Sequence, residues 1–514
     1  MRLLRGFPLA LMAVGLAARA APLLDLHGRN LRQFPSEDGY LMLTIARNIA
    51  LGHGMSISGG TIPTNGTQPL MAYLYALAFW LVGGDKAWGV LLVQVFQIAI
   101  AVASAFVLYH VARRLLAGQP ERDTLASLTA ALWFAGPLAV KHTQNCLETG
   151  GYALAILCVA AYVLELPPGN RPWSIRQCVG LGALLAVAFW VRNDASLLVA
   201  AICASRVLPA LLAGFAFLRS RVVEAAIVGA TALAGAAPWL VHNVTRFGYL
   251  MPISGVAEGS GYVRGQNLVD LPAALAEYVL VTLPIPSTME ELPSTVAASL
   301  LVVALGAAAA VMFALRLEPL ARRWLGVLGI WAGILVVFYG FFFGVGFFLS
   351  RYFFPLSPFF ALVTVYWANQ VWRAVMPSSG LAPLAAAALV GLLVLGLDVR
   401  LYVRGTNQGH FQVVEWVQRN VADDVWIGAI QTGTLGFFHD RTINLDGKVN
   451  PYALEARLSG HTQDYVLEGP IEYLADWVGI ATWLHGTPLE GRFEQVTLDP
   501  DANLAILRRV RAGS

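Results

Sequence analysis

Apolar residues run through this chain in long blocks, separated by short clusters of arginine or of glycine, proline and amide side chains. Blocks of about 18–25 residues suit a helix that crosses a bilayer. In order they predict spans at 7–25, 87–111, 124–140, 149–166, 178–191, 194–214, 222–241, 296–315, 324–346, 353–371 and 381–399, about eleven in all. The sixth contains Arg206, which should end it early and snorkel to the membrane surface. Residues 69–84 are apolar too, but about 16 residues is marginal for a span. If this segment crosses, the arginine clusters at 113–123, 171–176, 219–221, 316–323 and Arg373 all face outward. Laid on the outer surface as an interfacial helix, it turns them all inward, as basic loops prefer. The second reading is adopted. The outer face then receives 26–86, 141–148, the break at 192–194, a long loop at 242–295, the Ser350-Arg351-Tyr352 corner and everything past Asp398. Residues 2–25 also resemble a secretory signal, with Ala18-Arg19-Ala20-Ala21 as a small-residue cleavage site. They are taken here as a span with its basic end inside.

Beyond residue 400 the pattern changes. Phe411–Asn420 has helical periodicity, while 425–430, 441–445 and 502–508 read as short strands. The chain therefore divides into a transmembrane domain, 1–400, and a small α/β domain, 401–514, on the outer face. Neither internal repeats nor low-complexity tracts interrupt this plan.

Composition agrees and adds exclusions. With 57% hydrophobic and 13% charged residues, and a mean hydropathy of +0.63, the chain is no soluble globular protein. A net charge of +3 gives no footprint for nucleic acid. The four cysteines, Cys146, Cys158, Cys178 and Cys203, have no metal-ligand spacing and imply no disulfide framework.

Candidate chemistry gathers on the outer side. Glu37 and Asp38 follow the first span, where carboxylates can deprotonate a hydroxyl or bind a divalent cation. An acid pair that merely precedes a helix, with Asp38 as its cap, stands level with that reading. Arg47 and His53 lie on the next turns, and the 64–68 loop adds Asn65 and Gln68, of the types that bind sugars or make a polar turn. Glu148, with His142 nearby, stands at the mouth of a span, where an acid is costly unless it faces protein or water. Arg192-Asn193-Asp194 breaks two apolar blocks with almost no loop, so it should line a cavity. Arg192 suits a phosphate, or an ion pair with Asp194. Arg351 and Tyr352 are a second phosphate candidate, or an interface anchor. Trp239 and His242 suit sugar stacking or a membrane-interface belt.

Several stretches, taken in order, resemble a known class. SEDGYLMLTIARNIALGHG, PTNGTQPLMAYLYALAFWLVGG, LETGGYALAILCVAAYVL, AFWVRNDASLL, SRYFFPLSPF and NLDGKVN look like successive segments of GT-C-fold glycosyltransferases that use polyprenyl-phosphate sugars. The likeness is to the ArnT-like and protein O-mannosyltransferase-like members of glycosyltransferase family 39. It implies an all-α polytopic membrane domain with a C-terminal α/β domain, in the inner (plasma) membrane. It implies an inverting sugar transfer to a lipid, glycan or protein hydroxyl on the extracytoplasmic face. By that resemblance the catalytic base is an acid of the first outer loop, favouring Asp38. Glu37 and Glu148 would orient the acceptor or hold a cation (Mg, Mn or Ca), and Arg192 and Arg351 would hold the donor phosphate. The family usually has Asp-Asp or Asp-Glu where this chain has Glu-Asp. A transporter or flippase for a lipid-linked glycan is the rival, but should carry matched half-repeats with interrupted helices, and one break has no second copy. A non-catalytic subunit of an envelope glycan assembly complex would tolerate alanine at Glu37 and Asp38.

Overall fold

The computed structural model describes residues 2–119, 121–167, 171–212, 214–279, 293–343, 350–375, 389–397, 399–400 and 409–510. Helices dominate up to residue 400. Among the described residues five are long and apolar enough to cross a membrane: Gly6–Leu24, Lys86–Leu115, Phe215–Phe247, Val296–Arg316 and Ala321–Phe342. A bent pair, Arg122–Ala135 and Pro137–Thr143, makes a sixth if its 59° break lies within one span. The expected eleven are therefore not reproduced by length and composition. Three of the expected spans are the shorter apolar helices Thr149–Glu165, Ile175–Val191 and Ala195–Leu211. The one expected at 353–371 forms a helix over Ser357–Val375, and much of 381–399 lies outside the described residues.

Two local expectations are corrected. The helix Phe215–Phe247 continues to residue 247 and ends on Gly248 at a φ of 78°, so the long loop begins there and not at 242. Arg206 does not snorkel. It turns into the bundle and pairs with Glu224, leaving the two side chains 7% and 5% exposed. A buried carboxylate supplies in place what a longer reach to solvent would have supplied.

The bundle is polarised. Ile175–Val191 runs toward Arg192, Ala195–Val207 starts from Asp194, and Thr149–Glu165 starts from Glu148. Their other ends carry arginine pairs, among them Arg114 with Glu165 and Arg206 and Arg221 with Glu224. Seventeen residues of helix separate the two ends by about 25 Å.

Two short strands of the first outer loop, β1 (Ser56–Ile57) and β2 (Ile62–Pro63), pair antiparallel. The last hundred residues form a five-stranded sheet of β3 (Ile427–Ala429), β4 (Thr442–Asn444), β5 (Tyr473–Asp476), β6 (Phe493–Asp499) and β7 (Leu504–Arg509) in the order β4-β3-β5-β7-β6. Strands β3, β4 and β5 are parallel, and β6 and β7 close the sheet antiparallel. Short helices make the parallel crossovers, as such connections require. The preceding helix forms over Phe411–Asn420, where the periodicity predicts it. An aromatic cluster docks this sheet domain on the bundle: Tyr40 meets Phe437 and Phe438 at centroid distances of 5.2 and 5.7 Å, and Phe411 at 6.0 Å. Arg47 and Lys86 both reach Asp440, at 3.3 and 3.2 Å.

Candidate functional site

Ser36 starts the site. Its hydroxyl accepts from the Gly39 backbone N–H at 3.1 Å and so caps the helix Glu37–Ala50. Ser36, not Asp38, is the cap. Glu37 and Asp38 fall in the first turn, about 100° apart around the axis, and therefore face different neighbours. Glu37 turns to the sheet domain, where backbone N–H groups of Gly433 and Thr434 donate to its carboxylate at 2.5 and 3.0 Å and the Thr434 hydroxyl donates as well. A Cβ on Gly433 would lie 1.9 Å from the Glu37 carbonyl oxygen, so only glycine permits this approach.

Asp38 turns to a cavity of about 530 Å³ with two unlike ends. Its polar end gathers Asp38, Glu148, Arg192, Asp194, Arg351 and Lys448, with Gln68, Tyr339, Tyr352 and Glu258 at its margin. Its other end is apolar, walled by Leu185, Phe189, Leu197, Ala232, Leu233 and Ala236 from three bundle helices. Hydrocarbon fits one end and an anion the other.

The polar end is organised as two linked ion pairs. Arg351 holds Asp38 at 2.7 Å. Arg192 sits 3.1 Å from Asp194 and 3.8 Å from Glu148, nearly sealed from water. Tyr339 joins the second pair, donating to Asp194 at 2.5 Å and accepting from Arg192 at 3.2 Å. Its ring stacks on Tyr352 with centroids 4.3 Å apart and planes 8° from parallel. Even so, Arg192 Nη1, Asn193 Oδ1 and Asp194 Oδ1 are buried without a partner. Buried polar atoms in that state ask for a ligand or water. Lys448 arrives from the sheet domain on the loop after β4 and pairs with Glu258 at 2.6 Å. A Cβ on Gly66 would lie 2.1 Å from the Lys448 carbonyl oxygen, so glycine lets the two loops meet.

Charge sets the protonation states. Burial raises the Asp38 pKa, but the charges of Arg351 and Lys448 more than offset it and leave the carboxyl below its ordinary value. Burial alone would lower the pKa of Arg351 and Lys448; their acidic neighbours, Asp38 first for each, raise both instead. The site therefore holds a carboxylate beside two firm cations.

Neither a protein-family model nor a curated protein sequence matches the chain. Solved structures do. ArnT from Cupriavidus metallidurans, bound to undecaprenyl phosphate, is similar with a TM-score of 0.61 at 13% identity, over 98% of each chain. The archaeal oligosaccharyltransferase AglB from Archaeoglobus fulgidus, in complex with an inhibitory peptide and a dolichol-phosphate, is similar at a TM-score of 0.52 and 12% identity, over 94% of this chain and 70% of that one. The apo form of the A. fulgidus oligosaccharyltransferase gives 0.52 over 95% and 73%. The chain has the GT-C fold.

Within this GT-C fold the sequence-predicted residues divide. Asp38, Glu148, Arg192, Arg351, Tyr352 and Gln68 line this cavity together. Glu37 does not, being spent on Gly433 and Thr434. Arg47 donates to the Gly84 carbonyl at 2.8 Å and pairs with Asp440, a docking contact outside the cavity. His53 is exposed on a turn between Gly52 and Gly54. Asn65 is buried, donating to the Asn243 side chain at 2.9 Å and accepting from Ile253 N–H at 3.2 Å. His142 lies 3.2 Å from the Tyr278 hydroxyl in the bundle core. His242 stacks on Trp239 with centroids 5.4 Å apart, outside the cavity lining.

Lys448, Tyr339 and Glu258 are the additions, and two of the three had no local signal in the sequence. Lys448 did, lying in the NLDGKVN stretch. Among the described residues no three His, Cys, Asp or Glu side chains converge to hold a metal ion. With Glu37 held by backbone, Asp38 by Arg351 and Glu148 beside Arg192, the donor set suggested for Mg, Mn or Ca does not fit this arrangement.

Proposed function

We propose that this GT-C protein is a membrane glycosyltransferase that moves a sugar from a polyprenyl-phosphate donor onto an acceptor hydroxyl, with inversion. The carrying observation is the two-ended cavity: cations at a polar head, and an apolar wall continuous with bundle helices. A lipid phosphate has that shape and polarity, and two proteins of similar fold are described as bound to undecaprenyl phosphate and to dolichol-phosphate. The bundle's basic end lies opposite the cavity, which supports an extracytoplasmic site in the inner membrane, with the basic end inside.

The polyprenyl tail lies along Leu185, Ala232 and Ala236, and its phosphate takes Arg351 and Lys448, with Arg192 behind them. As the phosphate draws Arg351 away, Asp38 loses its counter-charge and becomes a stronger base. Asp38 then accepts the acceptor's hydroxyl proton, and that oxygen bonds to the anomeric carbon from the opposite face. The carbon–oxygen bond to phosphate breaks, its electron pair stays on phosphate, and the cations stabilise that charge. Glu148 and Asp194 orient the acceptor and the Arg192 fork.

The test is transfer by purified protein in proteoliposomes, using a panel of radiolabelled polyprenyl-phosphate sugars, with membrane extract as acceptor. Label appearing in product supports the reading and names the sugar; an EDTA arm reads metal dependence separately. Labelled lipid that crosses the bilayer without transfer would replace it with the flippase reading. Within this scheme Lys448→Met should raise the KM for donor about 10–100-fold, the worth of one charge-assisted hydrogen bond. Its kcat should fall as well, because Lys448 also stabilises the charge that develops on the departing phosphate. Unchanged KM and unchanged kcat together would remove Lys448 from the donor site.

A further inference from the structure

The end of the bundle away from Asp38 carries a second constellation. Glu224, 4% exposed, is surrounded by donors: Arg206 Nε at 3.0 Å, Arg221 Nη1 at 2.5 Å and the Trp173 backbone N–H at 3.2 Å. Arg206 and Arg323 also lie against the Trp173 ring, with guanidinium carbons 3.9 and 4.7 Å from its centroid. Two arginines thus meet one carboxylate, a third lies on the neighbouring Trp173 ring, and the carboxylate is already saturated. A positive excess held away from water is costly unless an anion joins it.

Two donors in this cluster are left over. The indole N–H of Trp173 and Nη2 of Arg323 are buried and have no hydrogen-bond partner. Trp173 is itself 6% exposed and forms the wall of a cavity of about 300 Å³, together with Arg219, Ser220 and Glu224. The rest of the wall is apolar and opens sideways: Ile175 and Val223, 69% and 51% exposed, stand on the outside of helices Ile175–Val191 and Phe215–Phe247. In a bilayer those two residues face acyl chains.

We propose that this cavity is a second lipid site, which takes the phosphate head group of an anionic phospholipid between Arg219, Ser220 and the Trp173 indole, with the acyl chains over Ile175 and Val223. The chemistry follows from the two walls. A phosphate answers the surplus guanidinium charge and the unused indole N–H of Trp173, the one of the two left-over donors whose residue lines the cavity. A basic pocket between spans at head-group depth is a lipid-binding arrangement. A free anion would leave the apolar wall unexplained. Helix Ile175–Val191 separates this pocket from the cavity at Arg192 by about 25 Å, so it is not an extension of the donor site.

Native mass spectrometry of the detergent-solubilised full chain, titrated with phosphatidylglycerol or phosphatidylcholine, tests this. The expected result is one retained phosphatidylglycerol at least about tenfold preferred over phosphatidylcholine, the effect of roughly one charge-assisted contact. Arg219→Gln changes an exposed side chain and leaves the Glu224 cluster whole. Trp173→Phe keeps a ring for both arginines and removes the N–H. Arg219→Gln should cost most of that preference, and Trp173→Phe should weaken retention of both lipids alike, each at an unchanged melting temperature. Equal retention of the two lipids by the wild type, or full preference in Arg219→Gln with full retention in Trp173→Phe, overturns the proposal. So does equal occupancy by inorganic phosphate alone, which would make the ligand a free anion.

Discussion

Asp38→Asn is expected to reduce sugar transfer by about 10²–10⁴-fold, the range lost when a positioned general base is removed. The exchange is nearly isosteric, so helix Glu37–Ala50 keeps its Ser36 cap and its Tyr40 contacts. What changes is charge. The amide cannot take a proton, and Arg351 loses the carboxylate now 2.7 Å away. Freed from that pair, Arg351 should hold a lipid phosphate at least as tightly as before. The signature is therefore a split: transfer collapses while labelled polyprenyl phosphate binds as in the wild type or better. A merely structural Asp38 would lose both together. Arg351→Met should give the opposite split in binding, with donor retention falling first. A variant Asp38→Asn that transfers at half the wild-type rate would remove Asp38 from the chemistry.

The pH profile gives an independent check on the same residue. Arg351 and Lys448 hold the Asp38 carboxyl below its usual value, and the effect of burial is overcome. A depressed carboxyl contributes stability above its unfolded pKa and loses it as the pH falls through the folded one. Around neutrality Asp38 is thus ionised and ready to accept. Activity limited by donor-bound Asp38 should fall on the acid side at a higher pH than this pairing alone implies, because phosphate takes Arg351 away.

Some of this was legible in the sequence because local chemistry alone decided it. The break at Arg192–Asp194 had to be enclosed, since three polar residues between apolar helices cannot face lipid, and it lines the cavity. Phe411–Asn420, β3, β4 and β7 declare themselves by periodicity within one element. Long-range partners did not declare themselves. Glu37 and Asp38 are neighbouring carboxylates, and only the packing of the sheet domain against one side of their helix separates a docking residue from a cavity residue. Asn65 and Asn243 fall in two separate stretches expected as outer loops, 26–86 and 242–295, yet they bond to each other across 178 positions. Tyr339 stands in an aromatic run where nothing local marks it, and its role comes from Asp194, far off in sequence. Arg206 was misplaced for the same reason: its buried partner Glu224 sits on the next helix.

Glu37→Ala should loosen the sheet domain from the bundle. The carboxylate receives the first backbone N–H groups of helix Gly433–Phe438 and the Thr434 hydroxyl, and so caps that helix from another part of the chain. Alanine leaves two buried N–H groups without an acceptor, at about 1–3 kcal/mol each. Hydrogen exchange in Gly433–Phe438 and Phe411–Asn420 should rise, while the bundle helices keep their protection. Because Lys448 arrives on the same domain, donor KM should rise with it. Glu37→Gln separates the cap from the charge. One amide oxygen serves Thr434, but the amide nitrogen then faces the Gly433 N–H, so one bond is lost and docking weakens less than with alanine. The pH behaviour differs too. Burial raises the Glu37 pKa to about 7 from an ordinary 4.5, against the opposing pull of the Thr434 and Gly433 donors. A raised carboxyl contributes stability that is whole below its unfolded pKa and is lost as the pH climbs through the folded one. Wild-type docking should therefore weaken as the pH rises from 4.5 to about 7, and Glu37→Gln should flatten most of that slope. Asp476, raised to about 6 by burial in the same domain, adds a remainder of the same sign. An unchanged slope in Glu37→Gln would mean that Glu37 stays ionised throughout and that its hydrogen bonds, not its burial, set its protonation.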